Sequence, residues 1–306
     1  MKVIGIDPAP AKKSVIYNDV DGFTEVEADK LKEYLDHTIK ILEEDVLICW
    51  DAPLTGMASE NTIRNFQQYL EALAKSKKKK KPKWSPLEAR IIEKYIVLQD
   101  PTTIPKGIST LPYTGCSHWA ITQHCFGLPL INDEFKPPET LKTFKLITSQ
   151  NEREKLSSNK KNIIEVHPAL ALWLWLKKAN EAKSEFDSEF DWDYKKNKET
   201  FNELAKQLFD KFGQPKAITE PKDQANEKYR IKVTVIKKNK VEAEEKPKNM
   251  TDDHLDAYIA WKLGDLWLNK QDEVILVGNK NTGAMLLPND MEKVSENWQS
   301  ELKEYK

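Results

Sequence analysis

The feature that most constrains the fold is a pentapeptide, VLICW at Val46–Trp50, a continuous apolar run of strand length followed at once by Asp51. A strand that is apolar at successive positions is buried on both faces, which calls for a sheet with helices on either side. VIGI at Val3–Ile6, closed by Asp7, and NIIEV at Asn162–Val166 are two further runs of this kind. Between the first two lie Lys13–Asn18 and Phe23–Ala28, separated by the turn residues Asn18, Asp21 and Gly22. Together with the first strand they predict a three-stranded meander. Leu31, Tyr34, Leu35, Thr38, Ile39 and Leu42 then recur at helical spacing. The opening order is therefore β-β-β-α-β, with the fourth strand parallel to the first through a helical crossover. The fold class is α/β: a mixed sheet, three antiparallel strands then parallel ones, flanked by helices.

The rest of the 306 residues reads as insertions and closing elements in a single domain. The core is expected from about 1–54, 160–180 and 250–290, with insertions at about 55–160 and 181–249. In the first insertion, Ile63, Phe66, Leu70, Leu73 and Ala74 line a helix that runs into the lysines Lys77–Lys81. Ser85–Glu88 is a capping box opening a helix to about Gln99, and Ser117–Phe126 is a short helix stopped by Gly127. Pro168 starts a helix that is apolar nearly all round. The stretch 181–250 is highly charged, with one strand at Ile231–Ile236, and reads as a second insertion or surface subdomain. A helix follows from Asp252 to about Asn269, then a short hairpin around Asn279–Gly283.

Composition removes several function classes. Lys and Arg number 48 and Asp and Glu 49, so the net charge of −1 leaves no chain-wide basic field, although a local patch remains open. Only ten glycines are present, and neither G-x-x-x-x-G-K-[ST] nor G-x-G-x-x-G occurs. That disfavours nucleotide binding by a Gly-rich loop, and with it an actin-like ATPase or sugar kinase. The opening MKVIGIDPAP has neither signal-peptide nor transit-peptide character. No run approaches the ~20 apolar residues of a membrane span. Three sparse cysteines fit a reducing compartment, so a cytoplasmic protein without a membrane partner is expected.

The chemistry is concentrated in carboxylates at the ends of apolar runs. Asp7 closes VIGI, Asp51 closes VLICW, Glu165 interrupts IIEV, and Asp253 and Asp256 open the last helix. Sites in open α/β sheets lie beyond the carboxyl ends of the strands. An acid there is not needed for packing and is costly if buried unpaired. Several converging acids repel one another unless a divalent cation neutralises them. Taken singly, each could equally be a loop starter or a helix cap.

The last helix sharpens the point. At about 100° per residue, Leu255, Ile259, Leu263, Leu266 and Trp267 define one apolar arc, and Asp256 falls inside it. Asp253 lies on the same stripe as Ala257, Ala260 and Gly264, small residues that would let the helix backbone approach the sheet closely. Acids in a first turn after a Thr251 cap explain Asp252 and Asp253. They do not explain Asp256, which reads as a metal ligand, the alternative being a hydrogen-bonded structural aspartate.

G-I-D-P at Gly5–Pro8, the acid at Asp51 and D-x-x-D-A at Asp253–Ala257 resemble the RuvC-like branch of the RNase H-like superfamily. The set W-D-A-P-L (Trp50–Leu54), E-V-H-P (Glu165–Pro168) and D-D-x-x-D-A more closely resembles the domain of unknown function 429 family, generally described as predicted RNase H-like nucleases. Arg90-x-x-Glu93 is similar to that family's R-x-x-D, with Glu in place of Asp. The resemblance covers the core elements, and the lysine-rich insertions match nothing in it. It implies an RNase H-like sheet with acids clustered at one edge, and a nuclease acting on DNA or RNA. It further implies two Mg²⁺ or Mn²⁺ ions bridged by Asp7, each completed by Asp51 or Asp256, with Asp253 or Glu165 auxiliary. Oxygen ligands of this kind suit these ions better than Zn²⁺. The rival from another class is a non-catalytic nucleic-acid- or protein-binding module carrying the same acids as structure.

Other residues invite weaker readings. Cys116-x-His118 and His124-Cys125 fit no common zinc spacing. His167 shares a strand face with Glu165 and could position a phosphate or donate to a backbone carbonyl. Arg90 is a substrate-binding candidate through the same resemblance. Lys79 and Lys80, within the lysine run and near Trp84, form a candidate phosphate grip, the plainer reading being a solvated helix end. Only four arginines occur, which leaves little capacity for bidentate base readout.

Overall fold

The computed structural model describes residues 1–9, 12–56, 90, 92–93, 105, 108, 121–122, 124–126, 143–158, 161–184, 190–219, 229–237 and 240–289. The helix over Ile63–Ala74, the lysines Lys77–Lys81 (Lys79 and Lys80 among them), Trp84, the Ser85–Glu88 box, Cys116 and His118 lie outside the described residues.

The opening follows the expected order. Strands β1 (Lys2–Asp7), β2 (Ser14–Asn18) and β3 (Gly22–Val26) form an antiparallel meander. A short helix α1 (Leu31–Glu33) continues as a wider π-helical turn over Tyr34–Ile39, and Leu31, Leu35 and Ile39 are its fully buried residues. β4 (Val46–Trp50) then pairs parallel with β1. β5 (Lys145–Leu146) and β6 (Lys161–Glu165) add two more parallel strands beyond β4. The doubly buried character read from VLICW holds, since all five residues are buried.

The charged stretch 181–250 departs from the expected surface insertion. It carries helix α3 (Lys198–Phe212), after α2 (Pro168–Ser184), and three strands, β7 (Ile218–Thr219), β8 (Arg230–Lys237) and β9 (Lys240–Asn249). β8 pairs parallel with β3, so the main sheet runs β5-β6-β4-β1-β2-β3-β8-β7, with β9 antiparallel to β8. Phe201, Leu204, Ala205, Leu208 and Phe209 bury one face of α3 in the main core. The long, charged β9 forms an outer edge with Pro247 in its ladder, a composition that discourages further strand pairing.

The chain closes with helix α4 (Asp252–Asn269) and the hairpin β10 (Val274–Asn279) and β11 (Gly283–Pro288). Alternation splits the sheet into two apolar faces. Val3, Leu47, Cys49 and Ile164 face α2, α3, α4 and the hairpin. Ile4, Ile6, Ile48, Trp50 and Ile163 face α1 with Ile121, Cys125 and Phe126. The protein is thus α/β, a large mixed sheet flanked by helices. Among the described residues no helix is long and apolar enough to cross a membrane.

Candidate functional site

Strand register brings the first two acids together. Gly5 pairs with Cys49 and Ile6 with Trp50, and the Asp51 amide donates to the Ile6 carbonyl at 3.0 Å, carrying the pairing to the level of Asp7. In-register residues of parallel neighbours point to the same face. Asp7 and Asp51 therefore sit side by side at the carboxyl ends of β1 and β4, on the α4 side of the sheet. The same rule takes Glu165 out of the group. It pairs with Trp50, whose side chain lies on the opposite face.

Helix α4 supplies the other two acids, and glycines set how close it comes. A Cβ on Gly5 would overlap the Ala257 carbonyl and the Trp261 amide, with Trp261 Cα only 2.9 Å away. A Cβ on Gly264 would press on Cys49 Sγ and come within 2.7 Å of Val3 Cγ1. Val3 thus lies under Gly264, and Gly5 under Ala257 and Trp261. The helix runs antiparallel to β1, and its first turns, with Asp253 and Asp256, come down beside Asp7. The stripe of small residues does what the spacing predicts.

The electrostatics agree with this convergence. The Asp7 carboxyl titrates well above the ordinary carboxylate range, first because it is buried and then because Asp51, Asp256 and Asp253 repel its charge, with Lys195 acting in the opposite sense. Asp252 is raised by its own burial and by Asp253 and Asp256. Five aspartates, Asp7, Asp51, Asp252, Asp253 and Asp256, act on one another at a single edge.

Their partners were not foreseen. Asp256 is 1% exposed. Its Oδ1 accepts from the Tyr194 hydroxyl at 2.6 Å and its Oδ2 from Lys195 Nζ at 2.8 Å. Burial lowers the Lys195 pKa, but Asp256, Tyr194, Asp51 and Asp7 together push it well above its ordinary value. Burial, and then the Asp256 charge, raises the Tyr194 hydroxyl well above its own. Asp253 accepts from Lys12 Nζ at 2.9 Å through both oxygens. Tyr194 and Lys195 lie in D-W-D-Y-K-K, which has neither helical nor strand period, and only its aromatics among charges mark it as more than a loop.

A cleft of about 230 Å³ opens beside the cluster, lined by Lys195, Lys196, Lys198, Tyr194, Tyr229 and Asp252, among others.

The remaining candidates go elsewhere. Glu165 is 1% exposed and takes Arg90 Nη1 at 2.9 Å, Nη2 at 2.5 Å and the Leu54 amide at 2.8 Å. Arg90 also reaches Glu93 Oε1 at 2.8 Å and the Thr55 carbonyl at 2.8 Å. Burial lowers the Arg90 pKa, but Glu165 and Glu93 raise it above its ordinary value, so it stays charged. Both expectations are corrected here. Glu165 is not an auxiliary member of the aspartate cluster, and Arg90, itself 1% exposed, ties Glu165 to Glu93 rather than facing a substrate. His167 is 5% exposed at the start of α2, its carbonyl accepting from the Ala171 amide at 2.9 Å. Cys125 is buried in the apolar layer while its neighbour His124 is exposed, so the two side chains part company.

The donor chemistry can be tested against the implied ions. Asp7 and Asp51 are hard oxygen donors from adjacent strands, which suits Mg²⁺ or Mn²⁺ held by one or two carboxylates plus substrate. A second ion completed by Asp256 fits poorly, because the Lys195 ammonium 2.8 Å from Asp256 Oδ2 already balances that carboxylate and would repel a cation beside it. Among the described residues no group of three or more His, Cys, Asp or Glu is arranged to hold a metal ion. No family model, curated protein or solved structure matches the chain.

Proposed function

We propose that the chain is a divalent-cation-dependent nuclease of RNase H-like fold that hydrolyses phosphodiester bonds of DNA or RNA at the carboxyl edge of its sheet. The observation that carries this reading is the convergence of Asp7, Asp51, Asp253 and Asp256 at a strand-end position, where burial first and then repulsion by the other acids raise Asp7. The sheet supports it too, with three antiparallel strands continued by parallel ones, as the resemblance implies.

Asp7 and Asp51 would hold Mg²⁺ or Mn²⁺. The bound ion would supply Lewis acidity toward a phosphoryl oxygen. The protein's own groups do the rest. Tyr194 and Lys195 fix the Asp256 carboxylate, and Lys12 fixes Asp253. Lys195, Lys196 and Lys198 line the cleft beside the acids and draw a phosphate backbone toward them without reading its bases. The α4 backbone, seated on Gly5, closes the inner side of the site.

A second reading is a non-catalytic nucleic-acid-binding module. The full engagement of Asp256 and Asp253 by neighbouring donors favours it. End-labelled single- and double-stranded DNA and RNA, incubated with Mn²⁺ or with EDTA, separate the two. The nuclease reading expects cleavage with Mn²⁺ that EDTA abolishes and that D7N and D51N lose. Binding without cleavage identifies the module. Neither cleavage nor binding removes both readings.

A further inference from the structure

The resemblance implies two divalent cations, yet a lysine already stands against the acid that the second would need. We propose that the Lys195 ammonium takes the place of a second divalent cation, so that the centre binds one ion, at Asp7 and Asp51, and draws its other positive charge from the chain. This rests on the nuclease reading for the single ion only.

Three observations at Asp256 and Lys195 carry it. Lys195 Nζ donates to Asp256 Oδ2 at 2.8 Å, while Tyr194 holds Oδ1 at 2.6 Å, so the carboxylate has a donor on each oxygen. A divalent cation on either oxygen would stand within a few ångströms of the Lys195 ammonium and be repelled by it, while the ammonium already balances the Asp256 charge. Asp256 is 1% exposed, which makes loss of its partner costly. Lys195 also interacts with Asp51 and Asp7, so its charge acts on three carboxylates rather than on one.

The position suits a functional cation as well as a structural one. The Lys195 side chain is about half exposed (46%) although its ammonium is bound to a buried acid. It lines the cleft together with Lys196 and Lys198. One ammonium hydrogen bonds Asp256, and an ammonium has three donors. The others can meet a phosphate oxygen arriving through the cleft. A lysine bound to Asp256 would then do what a second ion does for charge, holding a phosphate near the acids without a second set of ligands.

Isothermal titration of the purified full chain with Mn²⁺ alone tests the inference. The wild type is expected to bind one Mn²⁺ per chain. K195M removes the ammonium while keeping the stem, frees Asp256 Oδ2, and is expected to bind two. K195R keeps the charge and is expected to stay at one. A circular dichroism melt of each variant shows that it is folded, and Y194F, which frees Oδ1 and keeps Lys195, supplies a second variant expected to stay at one ion. Two ions in the wild type, or one ion in both the wild type and K195M, overturn the inference and leave the metal reading standing. No Mn²⁺ in any variant overturns both.

Discussion

Replacing Gly5 with alanine tests how the helix is seated on the sheet, on which the site depends. The added methyl would overlap the Ala257 carbonyl and the Trp261 amide and lie 2.9 Å from Trp261 Cα. An extra methyl in a packed core typically costs about 1–3 kcal/mol when side chains can yield. Here the obstruction is the α4 backbone, held by the helix's own hydrogen bonds, so the first half of α4 must lift as a unit. The expected loss is about 3 kcal/mol, at the upper end of that range. For a chain of 306 residues it should lower the melting temperature by roughly 5 °C. Gly264→Ala is the internal comparison. Its methyl meets the Cys49 and Val3 side chains, which can shift, and alanine is favoured over glycine within a helix by about 1 kcal/mol. Gly264→Ala should therefore cost much less, about 1 kcal/mol or below. Urea unfolding and thermal melts of the two variants, run beside the wild type, measure both. A Gly5→Ala chain melting with the wild type, or less stable Gly264→Ala than Gly5→Ala, would refute the claim that this contact seats α4.

Arg90→Met should destabilise the chain by about 3–5 kcal/mol in urea unfolding, because it leaves Glu165 and Glu93 buried without their common partner. Restoring neutrality with Arg90→Met, Glu93→Met and Glu165→Met together should recover much of that loss, and failure to do so would show that the network positions other parts of the fold. Burial alone raises Glu25, but His254, Lys248 and Lys13 outweigh it and hold its pKa at about 2 against an ordinary 4.5. A depressed acid adds stability that is fully present above its unfolded value and lost as the pH falls through its folded one, so Glu25 should stabilise the chain above about pH 4.5 and contribute nothing below about pH 2. Screening of its partly exposed lysines leaves about 1 kcal/mol, measured as the difference between wild-type and Glu25→Gln urea curves at pH 6 and pH 2.5.

Much of this was legible in the sequence, and the part that was not had physical causes. The apolar runs VIGI, VLICW and NIIEV placed three strands, because a doubly buried strand reads as a near-continuous hydrophobic run, broken in NIIEV only by Asn162 and Glu165. The small residues Ala257, Ala260 and Gly264 foretold the close approach of α4, because backbone contact demands absent side chains. Glu165 was misplaced by one residue of register: a parity of one along β6 moves a side chain to the opposite face, and a single sequence does not show the register of its neighbour. α3 was hidden by charge density, although Phe201, Leu204, Ala205, Leu208 and Phe209 do follow helical spacing. Tyr194 and Lys195 could not be read as site residues, because they lie in an aperiodic turn and reach Asp256 across 62 and 61 positions of chain, respectively.

The most direct measurement is an anomalous difference map from crystals of this chain soaked in Mn²⁺. The account predicts a peak between the carboxylates of Asp7 and Asp51 at the carboxyl ends of β1 and β4, with Lys195 still against Asp256. A map with no peak there, or one in which Asp7 and Asp51 point to different faces of the sheet, would contradict it.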